Sequence, residues 1–132
     1  MNFLPNNYRT VLLCLFLLVF SSGCAVVAGG VIGGGAAAYF KGVLKTKEPA
    51  SFDKVWFAVV EIVEQQEFQV TKKESDAGKA LIEAKLRDQD KDVYITVKYH
   101  KPEITDLHIR VGIWGDEDES RRILKLIHEK LY

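Results

Sequence analysis

Residues 92–114 read DVYITVKYHKPEITDLHIRVGIW and contain two runs in which apolar and polar side chains alternate. The apolar positions are Val93, Ile95, Val97 and Tyr99 in the first run, and Leu107, Ile109, Val111 and Ile113 in the second. A period of two predicts strands that each bury one face. The two apolar sets share a face only if paired residue numbers sum to an even value, which requires a loop of odd length. This stretch therefore predicts an antiparallel hairpin that covers a core on one side.

More strands are predicted before this hairpin. The runs EFQVTKK (67–73) and KALIEAKLR (79–87) flank ESDAG, in which Gly78 can take the positive φ of a tight turn. The segment RDQDK then turns the chain into the strand that begins at Asp92. Nearer the N-terminus, YFKGVLKTK (39–47) is predicted as one short strand that Glu48-Pro49 ends.

Two helices are predicted, one on each side of these strands. Ser51 is a favourable N-cap for a helix whose apolar residues keep helical spacing as far as Gln66. In GDEDESRRILKLIHEKLY (115–132), Asp116 can cap a second helix, with Glu119 three residues later as in a capping box. The element order β-α-β-β-β-β-α predicts an α+β fold. Its four- to five-stranded antiparallel sheet carries both helices on its apolar face.

The N-terminal segment has the order of a bacterial lipoprotein signal. The apolar run VLLCLFLLVF (11–20) is followed by the small residues Ser21, Ser22 and Gly23, and then by Cys24. This arrangement resembles the lipobox, in which the cysteine thiol is lipidated through a thioether that carries acyl chains such as palmitate, and the chain is cut just before it. We therefore expect a signal peptide over residues 1–23, a lipidated Cys24 with a Gly/Ala-rich segment over 24–40, and an α+β domain over 41–132.

Two other interpretations of the same segment stay open, a plain secretory signal and an uncleaved membrane helix over residues 11–40. The helix is disfavoured because five glycines interrupt its second half, GGVIGGGAAA. The lipoprotein hypothesis predicts a protein anchored to a membrane of the bacterial cell envelope. Ala25, rather than Asp, follows the cysteine. In a host with two membranes, this pattern resembles that of lipoproteins forwarded to the outer membrane, facing the periplasm.

The segment after Cys24 contains two overlapping GxxxG pairs. Gly29 pairs with Gly33, and Gly30 with Gly34, at the spacing that lets membrane helices pack closely. One interpretation is a glycine zipper that joins copies of this chain into a homo-oligomer. The other is an apolar spacer that lies near the membrane.

The composition and the motifs argue against catalysis and against nucleic acid as a partner. Lys and Arg together number 18 and so do Asp and Glu, which is not the balance of a nucleic-acid binder. His100, His108 and His128 lack metal-ligand spacing, and no serine stands in a nucleophile motif. We expect no catalytic residue, no metal site and no cofactor.

One sheet face is predicted to be basic and to carry aromatic residues. If the apolar strand residues face the helices, the opposite side collects Lys73, Lys85, Arg87, Tyr94, Lys98, His108, Arg110 and Trp114, with Thr71 and Thr96. Glu83 is the only acid expected among the central positions. Such a face could hold an anionic envelope ligand, such as a lipid headgroup, lipopolysaccharide or a cell-wall polymer. The alternative is a solvated face whose charges maintain solubility.

Several segments together carry a resemblance to a known family. They are the lipobox, the Gly/Ala-rich run, YFKGVLK, the helix that opens after Pro-Ala-Ser, and IRVGIWGDEDESRRIL. The chain resembles a family of small bacterial lipoproteins that is catalogued as a domain of unknown function. The resemblance implies the architecture and the envelope location and supplies no activity. We therefore expect a non-catalytic envelope lipoprotein that acts through protein or membrane contacts, with the anion-binding module as the alternative.

Overall fold

The structure, a computed structural model, describes residues 36–132, which form a six-stranded antiparallel sheet and two helices. The elements are β1 (Ala38–Phe40), β2 (Val43–Glu48), α1 (Phe52–Gln65), β3 (Gln69–Asp76), β4 (Lys79–Lys85), β5 (Asp92–Lys101), β6 (Ile104–Val111) and α2 (Glu117–Leu131). The strands lie in the order β1-β2-β6-β5-β4-β3. The α+β class and the two helices are thus confirmed.

The predicted strand count of four to five is wrong, because the segment 39–47 forms two strands. Lys41 and Gly42 have φ values of 49° and 78°, and Phe40 pairs directly with Val43. Positive φ at both residues of a two-residue loop is typical of a type I′ hairpin turn. The turn could not be recognised from the sequence, because a lysine stands at the first of these positions, where Asn, Asp or Gly is usual.

Both helices pack on the same face of the sheet. Ile95 and Ile109 pair directly across β5 and β6, and both are fully buried. Against this face, α1 buries Val55, Ala58, Val59, Ile62 and Val63, and α2 buries Ser120, Ile123, Leu124 and Ile127. Because one side of each helix meets one side of the sheet, the described residues form a two-layer core.

The paired residue numbers in the hairpin of β5 and β6 sum to an even value, as predicted, but a β-bulge and not an odd loop produces this pairing. Val93 pairs with Val111, so the paired numbers sum to an even value as expected. The loop itself has an even length, because Lys101 pairs with Ile104 across two residues. A β-bulge between Tyr99 and Lys101 supplies the odd residue.

The end of β6 differs from the prediction. The strand stops at Val111, and Gly112 turns the chain with a φ of 72°. Ile113, predicted on the core face, is therefore 73% exposed. The alternation of apolar residues continues to Ile113 in the sequence although the strand ends at Val111. The spacing alone therefore placed Ile113 on the wrong side.

The cap of α2 is confirmed at Asp116. Its side chain accepts a hydrogen bond of 3.0 Å from the backbone N–H of Glu119 and one of 2.8 Å from Lys91 Nζ. The Glu119 carboxylate bonds Arg122 instead of returning to the cap, so only half of the capping box forms. Ser51 occupies the N-cap of α1 with an extended backbone, and its side chain makes no cap hydrogen bond.

The turn between β1 and β2 is pressed against the loop that leads from β6 to α2. A Cβ on Gly42 would lie 2.6 Å from the Trp114 carbonyl oxygen, and a Cβ on Gly115 would lie 2.6 Å from the Gly42 oxygen. Both glycines also have positive φ. The contact thus needs glycine on each side, because the opposing atoms belong to the backbone and cannot rotate away.

This contact predicts different costs for two alanine substitutions. Gly42→Ala combines left-handed strain with the clash and should lower the free energy of unfolding by about 3 kcal/mol. Gly112→Ala has the strain alone, because no atom lies within 4 Å of its Cβ position; the loss should be about 1 kcal/mol. Urea unfolding of residues 36–132 measures both. Equal losses would contradict the close backbone contact.

Candidate functional site

The open face is the side of the sheet away from the helices. It includes Val43, Lys45, Lys47, Lys79, Leu81, Glu83, Lys85, Asp92, Tyr94, Thr96, Lys98, Asp106, His108 and Arg110. Direct pairing places Arg110 beside Tyr94, and His108 between Lys45 and Thr96. A groove of about 330 Å³ lies over these two rows and is lined by Val43, Leu81, Tyr94, Thr96, His108 and Arg110.

The open face carries more acids than the sequence pattern predicted. Glu83 is joined by Asp92 and Asp106, so the expectation of a single central acid is wrong. Lys85 lies 3.0 Å from a carboxylate oxygen of Asp90 and 4.0 Å from one of Asp92. The hydrogen bond to Asp90 is the main cause of a raised pKa of Lys85. Its charge is therefore balanced locally by two acids.

Lys45 and Lys98 on this face, like Lys79 beside Lys98, have neither an ion pair nor a hydrogen bond among residues 36–132; Lys45 and Lys98 are the two nearest to His108. They flank His108, whose pKa is lowered by burial and further by Lys98 and Lys45, while Asp106 opposes the shift. The neutral form of the imidazole is thus favoured between two ammonium groups. An anion bound here would replace some of this repulsion with attraction and would raise the pKa of His108.

Lys73 does not lie on the open face, which corrects the prediction. A β-bulge between Val70 and Lys72 inserts one residue and reverses the alternation of β3. Lys73 consequently pairs with Ile82 on the helix side, and its Nζ lies 5.8 Å from the centre of the Trp56 ring. Lys72 takes its place and is paired with Glu74 at 3.1 Å.

Arg87 and Trp114 lie outside the strands that form the open face. Arg87 follows the end of β4 and forms an ion pair with Glu67. Trp114 is 91% exposed in the loop after β6. Arg110 connects the face to this loop, because its guanidinium donates hydrogen bonds to the carbonyls of Gly112 and Ile113. Of the predicted ligand residues, the structure places Lys85, Tyr94, Lys98, His108 and Arg110 on the open face, with Lys45 added.

The sequence analysis did not predict a buried polar cluster at the end of β2. Glu48 is fully buried, and its carboxylate accepts a 2.9 Å hydrogen bond from Thr46 Oγ1. His128 Nε2 lies 3.0 Å from the same carboxylate, and the Tyr132 hydroxyl donates to it at 3.3 Å. The only sequence signal for this cluster is the alternation of Leu44, Thr46 and Glu48, which places all three on the buried side of β2. The cluster ties the last turn of α2 to the sheet.

Two kinds of site are absent from the part of the chain that the structure describes. No three His, Cys, Asp or Glu side chains gather as metal ligands, and neither helix is long and apolar enough to cross a membrane. The predicted lipidation site Cys24 and the predicted zipper residues Gly29, Gly30, Gly33 and Gly34 lie outside the described residues.

Comparison with known proteins assigns a family. The model of a family described as "Protein of unknown function (DUF3568)" matches residues 8–130. No curated protein matches the chain. The match covers nearly the whole chain, so the resemblance to a domain of unknown function is confirmed.

The buried cluster predicts a pH dependence at its C-terminal tyrosine. Partial burial of the hydroxyl, and then the charge and hydrogen bond of Glu48, raise the pKa of Tyr132 from 10.0 to about 12, although the side chain as a whole is 60% exposed. The folded state therefore favours the neutral phenol. This stabilisation is complete below the unfolded pKa of about 10 and is lost as the pH rises through about 12.

We expect the stability advantage of the wild type over Tyr132→Phe to shrink as the pH rises from about 10 towards about 12. Chemical unfolding of residues 36–132 at each pH measures it. Tyr99→Phe, at an exposed position on β5, is the matched control and should follow the wild-type pH dependence. A constant difference between wild type and Tyr132→Phe would contradict the coupling to Glu48.

Proposed function

The chain belongs to the DUF3568 family, and we propose that it is a non-catalytic lipoprotein of the bacterial cell envelope that acts through protein or membrane contacts. The observation that carries the proposal is the small-small-Cys site at Cys24 after a ten-residue apolar run. All six strands and both helices of the described residues lie after this site. Cleavage before Cys24 would therefore leave the folded part intact.

The proposed anchor is strong enough to hold the domain at a membrane. Each buried methylene of an acyl chain contributes about 0.8 kcal/mol, and two or more chains give stable attachment. The outer membrane, facing the periplasm, is the proposed location in a host with two membranes. The Gly29–Gly34 segment would offer neighbouring copies a close packing surface.

The anchor predicts opposite behaviour of the two cysteines. Cys24→Ser should abolish acylation and cleavage, because the serine hydroxyl does not replace the thiol in thioether formation. Cys14→Ser lies within the proposed signal and should leave both steps unchanged. Mass spectrometry of the membrane-extracted chain and labelling with a palmitate analogue measure the outcome. Wild-type protein that stays full length and unacylated in its bacterial host would overturn the proposal.

A second candidate function is favoured by the surroundings of His108. We propose that Lys45, Lys98 and His108 hold an anionic envelope ligand on the open face. The support is the pair of lysines without carboxylate partners and the lowered pKa of the imidazole between them. Anionic headgroups and cell-wall polymers carry the phosphate or carboxylate groups that such a site would attract.

The second candidate predicts salt-sensitive binding of residues 36–132 to vesicles that contain phosphatidylglycerol. Binding should raise the pKa of His108, measured by NMR, and Lys45→Ala/Lys98→Ala should weaken it about tenfold, because two phosphate contacts are lost. Lys54→Ala/Lys125→Ala removes the same charge from the helices and should bind as the wild type does. Equal loss in both variants would indicate non-specific charge attraction and would reject the site.

A further inference from the structure

Three apolar side chains are exposed on two turns that touch each other. Phe40 is 60% exposed at the end of β1, and Ile113 and Trp114 are 73% and 91% exposed in the loop after β6. Lys41 follows Phe40 and holds its Nζ 5.3 Å from the centre of the phenyl ring. These four residues are called the tip. Their turns meet at the Gly42–Gly115 backbone contact.

The tip is held in place by the fold. Arg110 donates to the carbonyl oxygens of Gly112 and Ile113, so the strand beneath the loop fixes its path. On the other side, Gly42 and Gly115 pack backbone against backbone. The apolar side chains are therefore presented to solvent by a constrained scaffold, which lowers the conformational cost of binding through them.

We propose that the tip docks on the surface of the bilayer that carries the Cys24 anchor, and so sets the orientation of the domain. This inference rests on the lipid anchor of the proposed function. Tryptophan and phenylalanine, with a lysine beside them, are the side chains that partition to the headgroup boundary of a membrane. The tip thus has the chemistry of an interfacial contact.

The chain between the anchor and the fold is long enough for this contact. The 12 residues Ala25 to Ala36 can extend by at most about 40 Å. A domain of the 97 residues 36–132 is about 30 Å across. Any side of the domain can therefore face the bilayer. Tethering also gives an effective concentration on the order of millimolar, so a weak contact is sufficient to orient the domain.

The surroundings of the tip indicate an apolar contact and not an electrostatic one. The groove beside Trp114, of about 530 Å³, is lined by the acids Asp90, Asp92, Asp116 and Glu117, with Lys91 among them. Counted with their partners Lys85 and Lys91, and with Lys41 and Arg110, these acids leave the region close to neutral, so it carries no strong positive charge that would attract anionic lipid. Docking should therefore occur on zwitterionic lipid and should be insensitive to salt, unlike anion binding on the open face.

The test uses the full acylated chain in phosphatidylcholine vesicles whose acyl chains carry bromine near the headgroups. Bromine quenches tryptophan on contact, and the chain has two tryptophans, Trp56 and Trp114. The wild type should lose roughly half of its Trp114 emission, because an interfacial side chain sits about 5–10 Å deep. Trp114→Phe retains only Trp56, on α1, and should show almost no quenching.

A matched control moves the exposed indole elsewhere. Trp114→Phe/Phe57→Trp places it at position 57 of α1, where the native Phe57 is 71% exposed. This variant should remain unquenched by bromine and accessible to iodide. Equal quenching at positions 57 and 114 would overturn the orientation.

Flotation of the vesicles separates the failure of this inference from the failure of the anchor. Protein that does not float with the vesicles overturns both. Protein that floats, with Trp114 unquenched and accessible to iodide, overturns the docking alone. Protein that floats, with Trp114 protected from iodide but not quenched by bromine, also overturns it, because a protein surface then covers the tip.

Discussion

The backbone contact between Gly42 and Gly115 is the constraint on which the functional surfaces depend. It joins the β1–β2 turn to the loop that leads into α2, two segments far apart in the sequence. Because both sides are main chain, the distance is set by the absence of Cβ atoms and not by side-chain packing. The contact fixes the edge hairpin, the start of α2 and the relative position of Phe40 and Trp114 at once.

The opposite end of β2 is held by a polar constraint. Glu48 is fully buried and satisfied by Thr46, His128 and Tyr132, so α2 is bound to β2 at its last turn. A buried carboxylate is costly unless it is paired and hydrogen-bonded, and removal of one partner leaves the rest uncompensated. Asp116 caps the first turn of α2, so specific contacts fix this helix at both ends. The apolar face of α2 supplies the buried area that packs it on the sheet.

Alternation and helical spacing predicted the two helices and the long central strands, because in those segments one face is buried along most of the element. The same rules failed where a bulge or a turn changes which side of the sheet the following residues face. The bulge in β3 moved Lys73 to the helix side, and Lys41 entered a left-handed turn that its residue type does not suggest. The partners of Glu48 were invisible for another reason: they come from α2, and no local pattern reports a contact between distant segments.

The geometry of the sheet also relates the two proposed surfaces to each other. Phe40 ends β1 at the same end of the sheet as Val43 and Arg110, so the tip adjoins the row that contains Tyr94. Lys98 lies four residues further along β5, about 13 Å away at the rise of a strand. A domain that stands on its tip would therefore hold Lys98 above the headgroups. In that orientation the open face of the tethered domain would bind the charged part of a polymer or a protein beside the membrane, and the lipid itself would contact the tip. The free domain of residues 36–132 can instead turn its open face to anionic headgroups.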